Sequence, residues 1–486
     1  MNNGNKIIVI GLDGADYELI KSLAERGELP TFKRLFNEGS YGRLQATTPP
    51  FTCPSWTSIT TGVNPGKHGI FDFARYDKFL KLAINISRDV KVPRVWDILS
   101  RYELKSIIIN CPITYPANKI NGIMISGMDS PELNTKACYP KAIYDFLRRE
   151  NYSIDIDHRK MYEYRIKNPS KLVNELNRIA INRFRVSLRL MENFEWNFAF
   201  ILFNESDRVL HYCFDNIKLV KYHFKLIDNL IGRIIETYSN KATILIVSDH
   251  GFDILNYKFY PNSMLKDLKL LQLKEEYTHR KPQVWVYSKI PSHKLLNTLL
   301  KKLLSFPILD KKVINMIKTS NNILDIVSPN SLAIYPPPYS QGGIRINDVI
   351  DDKKDIINTI IDHLKNINDS SESPILEFFR KEDVYEGNMI NRAPDIIIMP
   401  KSNITIDVEI RNSKLLDNRY LSKIKFLDKS GDHASVRSRN NAILFIYGRE
   451  NIQKEIHGAT VMDITPTILK LFDLELPKYI DGRILI

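Results

Sequence analysis

Thiols are scarce in this chain. Its 486 residues hold four cysteines, Cys53, Cys111, Cys138 and Cys213, and no two stand in C-x-x-C spacing. That excludes a cysteine zinc site and a thioredoxin-type pair, and it points to a reducing cytoplasm rather than a disulfide scaffold. Long apolar runs are missing too. None approaches the ~18 residues that a membrane span needs, so no span is expected. The start, Met1-Asn-Asn-Gly-Asn-Lys6, leads into only four apolar residues and lacks the tripartite pattern of a secretory signal. The expectation is a cytoplasmic protein. Basic tracts are absent as well: Arg159, Lys160, Arg165, Lys301 and Lys302 are scattered, so no nucleic-acid partner is expected. The net charge of +13 suits an anionic substrate, and equally a Lys-, Ile- and Asn-rich proteome. There is no internal repeat and no long low-complexity segment.

What is present is ordinary globular material. Hydrophobic residues make up 43% and charged residues 26%, which excludes a disordered chain, a collagen-like fibre and a coiled coil. At roughly 150 residues per domain the length allows about three domains, or one large domain with insertions.

Short β-branched runs alternate with amphipathic stretches. Ile7–Ile10, Ser106–Ile109, Ile123–Ile125, Phe198–Phe203, Ala242–Val247, Ile396–Ile398 and Ala442–Ile446 read as buried strands. Helices are expected from Asp16 to about Arg26, around Trp96–Leu99 and over Thr465–Phe472, the last with Pro466 in its first turn. Another is expected over Tyr222–Glu236, where Phe224, Ile227, Ile231 and Ile234 make one face. This alternation predicts an α/β fold around a mostly parallel sheet. Two stretches break the rhythm: 131–190, rich in Tyr, Arg, Asn and Lys, and 255–390, with Tyr335-Pro-Pro-Pro338, Gln341-Gly-Gly343 and an amphipathic helix near 352–366. Both read as cap segments inserted over the active edge. The catalytic core is then 1–130, 191–254 and 391–486.

Polar clusters follow several strands. Alone, Asp13 reads as a turn residue more readily than a ligand, and Asp249-His250 as a metal site or a catalytic pair. Asp207 and His211, four apart, share a face if helical. Gly431-Asp-His433 says little by itself. Together they say more. Asp13, Asp207 and Asp249 follow three buried strands, and the C-terminal ends of parallel strands lie along one edge, where such sheets hold ligands. Carboxylates and imidazoles without thiolates suit Zn²⁺ or Mn²⁺. Six such groups suffice for two ions, the arrangement that holds both oxygens of an in-line phosphoryl displacement. A nucleophile is then wanted. Thr52 lies just before a short helix expected from Pro54 to a stop at Gly62, at the positive end of its dipole. Taken alone, Thr52 reads as a helix cap.

The ordered set Ile10-Gly-Leu-Asp13-Gly14, Thr52-Cys-Pro-Ser-Trp-Thr-Ser through Asn64-Pro-Gly-Lys-His68-Gly-Ile70, Asp207-x-x-x-His211, Ser248-Asp249-His250-Gly251 and Gly431-Asp-His433 carries a resemblance. It resembles the type I phosphodiesterase/nucleotide pyrophosphatase family of the alkaline phosphatase superfamily. Within that family it is similar to the prokaryotic branch, which Asn110–Pro116 and Asp463–Leu469 also resemble. The resemblance implies an alkaline-phosphatase-like central sheet flanked by helices, with inserted caps. It implies Thr52 as nucleophile, Asp13, Asp249 and His250 with Thr52 on one metal, and Asp207, His211 and His433 on the other. It implies a covalent phospho-threonine that is hydrolysed from the opposite side. The implied cofactors are two divalent ions, Zn²⁺ with Mn²⁺ as the alternative, and the implied substrate is a small or nucleotide-like phosphodiester. A phosphomonoesterase, a phospho-group transferase and a silent binding relative are the alternatives.

Two departures bear on specificity. Nucleotide pyrophosphatases of the family hold a phosphate oxygen with an Asn shortly after His-Gly-Ile, but here Gly69–Phe73 contains none. Lys67 and Arg75 are the candidates for the missing positive charge. The block Thr52-Cys-Pro-Ser-Trp56 also lacks the residue and the Arg that formylglycine sulfatases need. His68 is expected as scaffold and Cys53 as packing. His158, His223, His279, His293, His363 and His457 are expected at the surface or in packing, and Tyr335–Tyr339 as a rigid turn. The substrate, the metal and the oligomeric state are not readable.

Overall fold

The computed structural model describes residues 5–76, 82–275, 326–336, 341–369, 376–411, 420–424, 429–448 and 454–486. His279, His293, Lys301, Lys302 and the Pro337–Tyr339 turn lie outside them, as does the side chain of His158.

The apolar runs build one nine-stranded sheet. Its order is Glu455–Thr460, Ser40–Gln45, Ala442–Tyr447, Thr243–Val247, Ile7–Leu12, Phe198–Phe203, Ser106–Cys111, Gly122–Ser126 and Cys138–Tyr139. The five strands from Thr243–Val247 to Gly122–Ser126 are all parallel. Antiparallel pairing is confined to Ala442–Tyr447 with its two neighbours and to the short edge strand Cys138–Tyr139. Ile7–Leu12 and Phe198–Phe203 are buried at every position because helices cover both faces, which is why they read as unbroken apolar runs.

The expected helices form with small changes of boundary. Tyr17–Glu25 is capped by Asp16, whose carboxylate accepts from Leu19 N. The others are Val95–Arg101, Ile217–Tyr238, Lys354–Asn368 and Ile464–Leu471. The helix that carries Thr52 starts earlier than its proline suggests. It runs Thr52–Thr61, so Pro54 is its third residue, where the N–H it lacks would have had no intrahelical partner. Gly62 ends it in the left-handed region at φ 73°, with its N–H on Ser58 O.

Two expectations about organisation change. The stretch 131–190, expected as a cap over the active edge, is largely a layer of the core. Its helix Pro169–Asn193 buries Leu172, Leu176, Ile179, Phe184 and Leu190 in the same apolar cluster as Ile8, Ile10, Ile201 and Ile246 of the sheet. Each such side chain contributes about 1.5–3 kcal/mol when fully buried, so this helix holds the fold together. The later stretch does form a separate small core. It contains a four-stranded sheet in the order Ala333–Ile334, Gly343–Ile346, Ile396–Pro400, Leu376–Arg380. Ile396–Pro400, expected as a strand of the catalytic core, therefore belongs to this second sheet, past the expected boundary at 391. Among the described residues no helix is long and apolar enough to cross a membrane.

Candidate active site

Three neighbouring strands deliver the first ligands to one edge. Thr243–Val247, Ile7–Leu12 and Phe198–Phe203 lie side by side, and Asp249 with His250, Asp13, and Asp207 follow their C-terminal ends. Asp207 and His211 sit one turn apart on the helix Glu205–Cys213, with Oδ1 to Nε2 at 3.2 Å. His433 arrives from the far end of the chain. The short strand Gly431–Asp432 pairs antiparallel with Asp253–Ile254, just beyond His250, and Ser430 N donates to His211 O at 2.9 Å.

All seven residues singled out in the sequence meet here. Asp13, Asp249 and His250 form one group and Asp207, His211 and His433 another; within each, one ligand atom per residue lies within 4.8 Å of the rest. His250 Nε2 is 3.1 Å from Asp249 Oδ2 and 3.7 Å from Asp13 Oδ1. The groups abut, for the rings of His250 and His433 stack at 3.8 Å and 19°. Thr52 Oγ1 stands 3.3 Å from His250 Nε2, at the first residue of its helix.

The hydrogen bonds that anchor these candidate ligands engage the outer atom of each residue and leave the inner one facing the site. Asp13 Oδ2 accepts from Trp56 Nε1 at 3.4 Å, Asp249 Oδ1 from Gly14 N at 3.1 Å, and Asp207 Oδ2 from Arg208 Nη1 at 3.2 Å. The other oxygens, Asp13 Oδ1, Asp249 Oδ2 and Asp207 Oδ1, are buried without a hydrogen-bond partner. Three buried anionic oxygens without donors are costly unless a cation meets them. The imidazoles follow the same rule. Nδ1 of His211, His250 and His433 donates to the carbonyls of Gly431, Gly251 and Pro50 at 3.0, 3.0 and 2.9 Å. That leaves each Nε2 as the ring atom turned toward the site, where His250 Nε2 meets Thr52 Oγ1 and His211 Nε2 meets Asp207 Oδ1.

The electrostatics agree. Burial, then the charges of Asp249 and Asp207, hold Asp13 well above the ordinary carboxylate range, and burial with Asp207 raises Asp249. Burial also presses on Asp207, but His211, Arg208 and His433 outweigh it and bring it down. Burial lowers His250 far below the usual imidazole value and His433 to about 4, so both are neutral at neutral pH. A pocket with too much negative charge, neutral imidazoles and no thiolate fits two divalent cations.

Local sequence explains how Thr52 is aimed. A Cβ on Gly11 would stand 2.6 Å from Leu202 Cδ1 and 2.7 Å from the Trp56 ring. Only glycine lets the fully buried Trp56 slide beneath the strand, and Trp56 then ties the Thr52 helix to Asp13. Cys53 packs on Ile70 and Ile113, as expected of a packing residue. His68 is fully buried, within 3.0 Å of Ser58 Oγ and accepting from Ile70 N, as expected of scaffold. His223 is likewise internal and His457 exposed.

The candidates for an added positive charge do not take that place. Lys67 pairs with Asp481 and bonds Tyr479 O; Arg75 pairs with Asp89 at 2.9 Å and Asn85 at 2.7 Å. The cation beside the ligands is Arg208, which sequence reasoning passed over. Its only signal was its place between Asp207 and His211.

The family model described as type I phosphodiesterase / nucleotide pyrophosphatase matches residues 7–434. No curated protein matches the chain in sequence. Among solved structures, phosphonoacetate hydrolase from Sinorhizobium meliloti 1021 in complex with phosphonoformate superposes with a TM-score of 0.61 at 12% identity, covering 95% of this chain and 94% of that one. Murine ectonucleotide pyrophosphatase/phosphodiesterase 5, as an inactive threonine-to-alanine variant in complex with AMP, gives 0.55 at 14% identity, covering 97% and 96%. At these identities the likeness is one of fold.

Proposed function

The chain belongs to the type I phosphodiesterase/nucleotide pyrophosphatase family and is a phosphoester hydrolase of the alkaline phosphatase superfamily; from that premise we propose that it cleaves a small or nucleotide-like phosphodiester through a covalent phospho-threonine at Thr52. The observation that carries this reading is Thr52 Oγ1 at 3.3 Å from His250 Nε2, beside two groups of ligand-type side chains whose three inner carboxylate oxygens have no hydrogen-bond partner. Two ions, Zn²⁺ with Mn²⁺ as the alternative, would be held by Asp13, Asp249, His250 and Thr52, and by Asp207, His211 and His433. When bound they would lower the pKa of the hydroxyl and neutralise charge developing on the phosphoryl oxygens.

The protein's own groups do the rest. The helix Thr52–Thr61 presents Thr52 Oγ1 at its positive end, where an anion is favoured. Thr52 Oγ1 bonds to phosphorus as the ester P–O bond opposite breaks, and water then cleaves the new Thr–O–P linkage. Trp56, Gly14 and Arg208 fix the ligand carboxylates, so little reorganisation accompanies the step. The inactivity of the murine neighbour as a threonine-to-alanine variant supports a threonine in this role. A small phosphate ester as the partner, with no nucleic acid, and a cytoplasmic location complete the proposal; four free, buried cysteines support the latter.

The test is a panel on metal-loaded protein: bis(para-nitrophenyl) phosphate, para-nitrophenyl phosphate and phosphonoacetate. Fastest turnover of the diester is expected, with phospho-Thr52 captured by acid quench and mass spectrometry. Preference for the monoester would make the protein a phosphomonoesterase or transferase. Turnover without any adduct at Thr52 would remove the covalent step.

A further inference from the structure

Arg208 is surrounded by carboxylates. Its Nη1 donates to Asp207 Oδ2 at 3.2 Å and its Nη2 to Asp155 Oδ2 at 2.9 Å, while Met128 Sδ lies 3.4 Å from Nη2. Nε is buried without a partner, and the charge of Asp13 also acts on the guanidinium. Asp155 is itself held in place. Its Oδ1 accepts from Ile156 N at 2.8 Å, and the carbonyl before it, Ile154 O, accepts from the fully buried Arg183 at 2.6 Å. Arg183 in turn pairs with the equally buried Glu205, at the start of the helix that carries Asp207 and His211.

This geometry resolves an electrostatic conflict. A guanidinium gripping Asp207 Oδ2 turns Oδ1 inward, which favours a bound cation. The same positive charge beside the site repels that cation. At an effective dielectric of about 20, two like charges a few ångströms apart repel appreciably. Asp155 cancels the charge while leaving the hydrogen bond in place. It binds the other terminal nitrogen of the same fork, Nη2, while Nη1 holds Asp207.

Resting on the two-metal reading above, we propose that Asp155 is a positioning residue for the second metal site, acting through Arg208. The stretch 131–190 thus contributes to the chemistry as well as to the core. Arginine suits this place because its planar fork holds each carboxylate from a separate nitrogen in a fixed direction, which the point-like ammonium of lysine does not.

The experiment titrates chelated, full-length protein with Zn²⁺ by calorimetry, for wild type, Asp155→Asn, Asp155→Glu and Arg208→Lys. Wild type is expected to bind two ions. Asp155→Asn should weaken one of them by about tenfold or more and leave the other unchanged. Asp155→Glu, which keeps the charge, should recover most of the loss, and Arg208→Lys should resemble Asp155→Asn. The unaffected ion serves as the control that each variant is folded. Two ions at wild-type affinity in Asp155→Asn would overturn the proposal, also where KM for the diester rises, since Arg208 would then act on substrate. Fewer than two ions in wild type would instead overturn the two-metal reading, and this inference with it.

Discussion

The two ligand groups are built differently. Asp13, Asp249 and His250 stand at the ends of two adjacent parallel strands and are fully buried, so closing the sheet assembles the group. Asp207, His211 and His433 depend on a helix and on a loop from the other end of the chain. That helix is anchored at three residues of its first turn, Glu205 to Arg183, Ser206 to His223 and Arg208 to Asp155, by segments outside the strands. The first group is thus part of the core, while the second is suspended from it. The more adjustable half of the site is the one whose ligands converge last and over the greatest contour length.

Four changes would break or sharpen that contrast. The largest effect is expected from Thr52→Ala, since Thr52 touches only the first group. Turnover should fall by at least about 10³-fold while both ions stay bound, as read by steady-state rates and metal analysis. Retained turnover would take Thr52 out of the reaction. Next, Asp249→Asn and His211→Ala should each lower the metal content from two ions to one, with loss of activity. Unchanged metal content in both would contradict the grouping. Third, Phe252 is fully buried with its ring 4.9 Å from His211 and 5.8 Å from His433. Phe252→Ala should cost about 3–5 kcal/mol in chemical denaturation and weaken the second ion more than the first. Equal weakening would show that the groups are not independent.

The smallest effect is one of pH. His223 joins Ser206 to Asn177 inside the core, and burial lowers its pKa to about 3 from 6.5. The unfolded chain therefore binds this proton more readily. Its contribution to stability is complete above about pH 6.5 and is lost as pH falls toward 3, by up to about 1.4 kcal/mol per unit. Denaturation midpoints should drop across that window in wild type and less steeply in His223→Gln. An identical slope would exclude His223 as a source of acid sensitivity.

The first group was legible in the sequence because its parts are local. A β-branched run buried on both faces is continuous, and an acid or imidazole at its end has few other reasons to be there. Asp207 and His211 were legible through helical spacing. His433 was not, beyond its resemblance, because nothing local ties Gly431–His433 to the edge; the pairing with Asp253–Ile254 does. Two anchors of the spare oxygens, Gly14 for Asp249 and Trp56 for Asp13, were invisible for the same reason, as was the pairing of Arg208 with Asp155: these are contacts that only the fold creates. The stretch 131–190 misled because its exposed face is crowded with Arg, Lys and Asn. The spacing of Leu172, Leu176, Ile179 and Phe184 was the signal that it lines the core. The strand Ile396–Pro400 is as apolar as any in the main sheet, and composition alone does not say which of two cores takes it.

Anomalous diffraction from crystals of the Zn²⁺-loaded protein addresses the central claim most directly. The account predicts two peaks about 3.5–4 Å apart, one against Asp13, Asp249 and His250, the other against Asp207, His211 and His433, with Thr52 Oγ1 facing the first. A single peak, or peaks held by other residues, would contradict it.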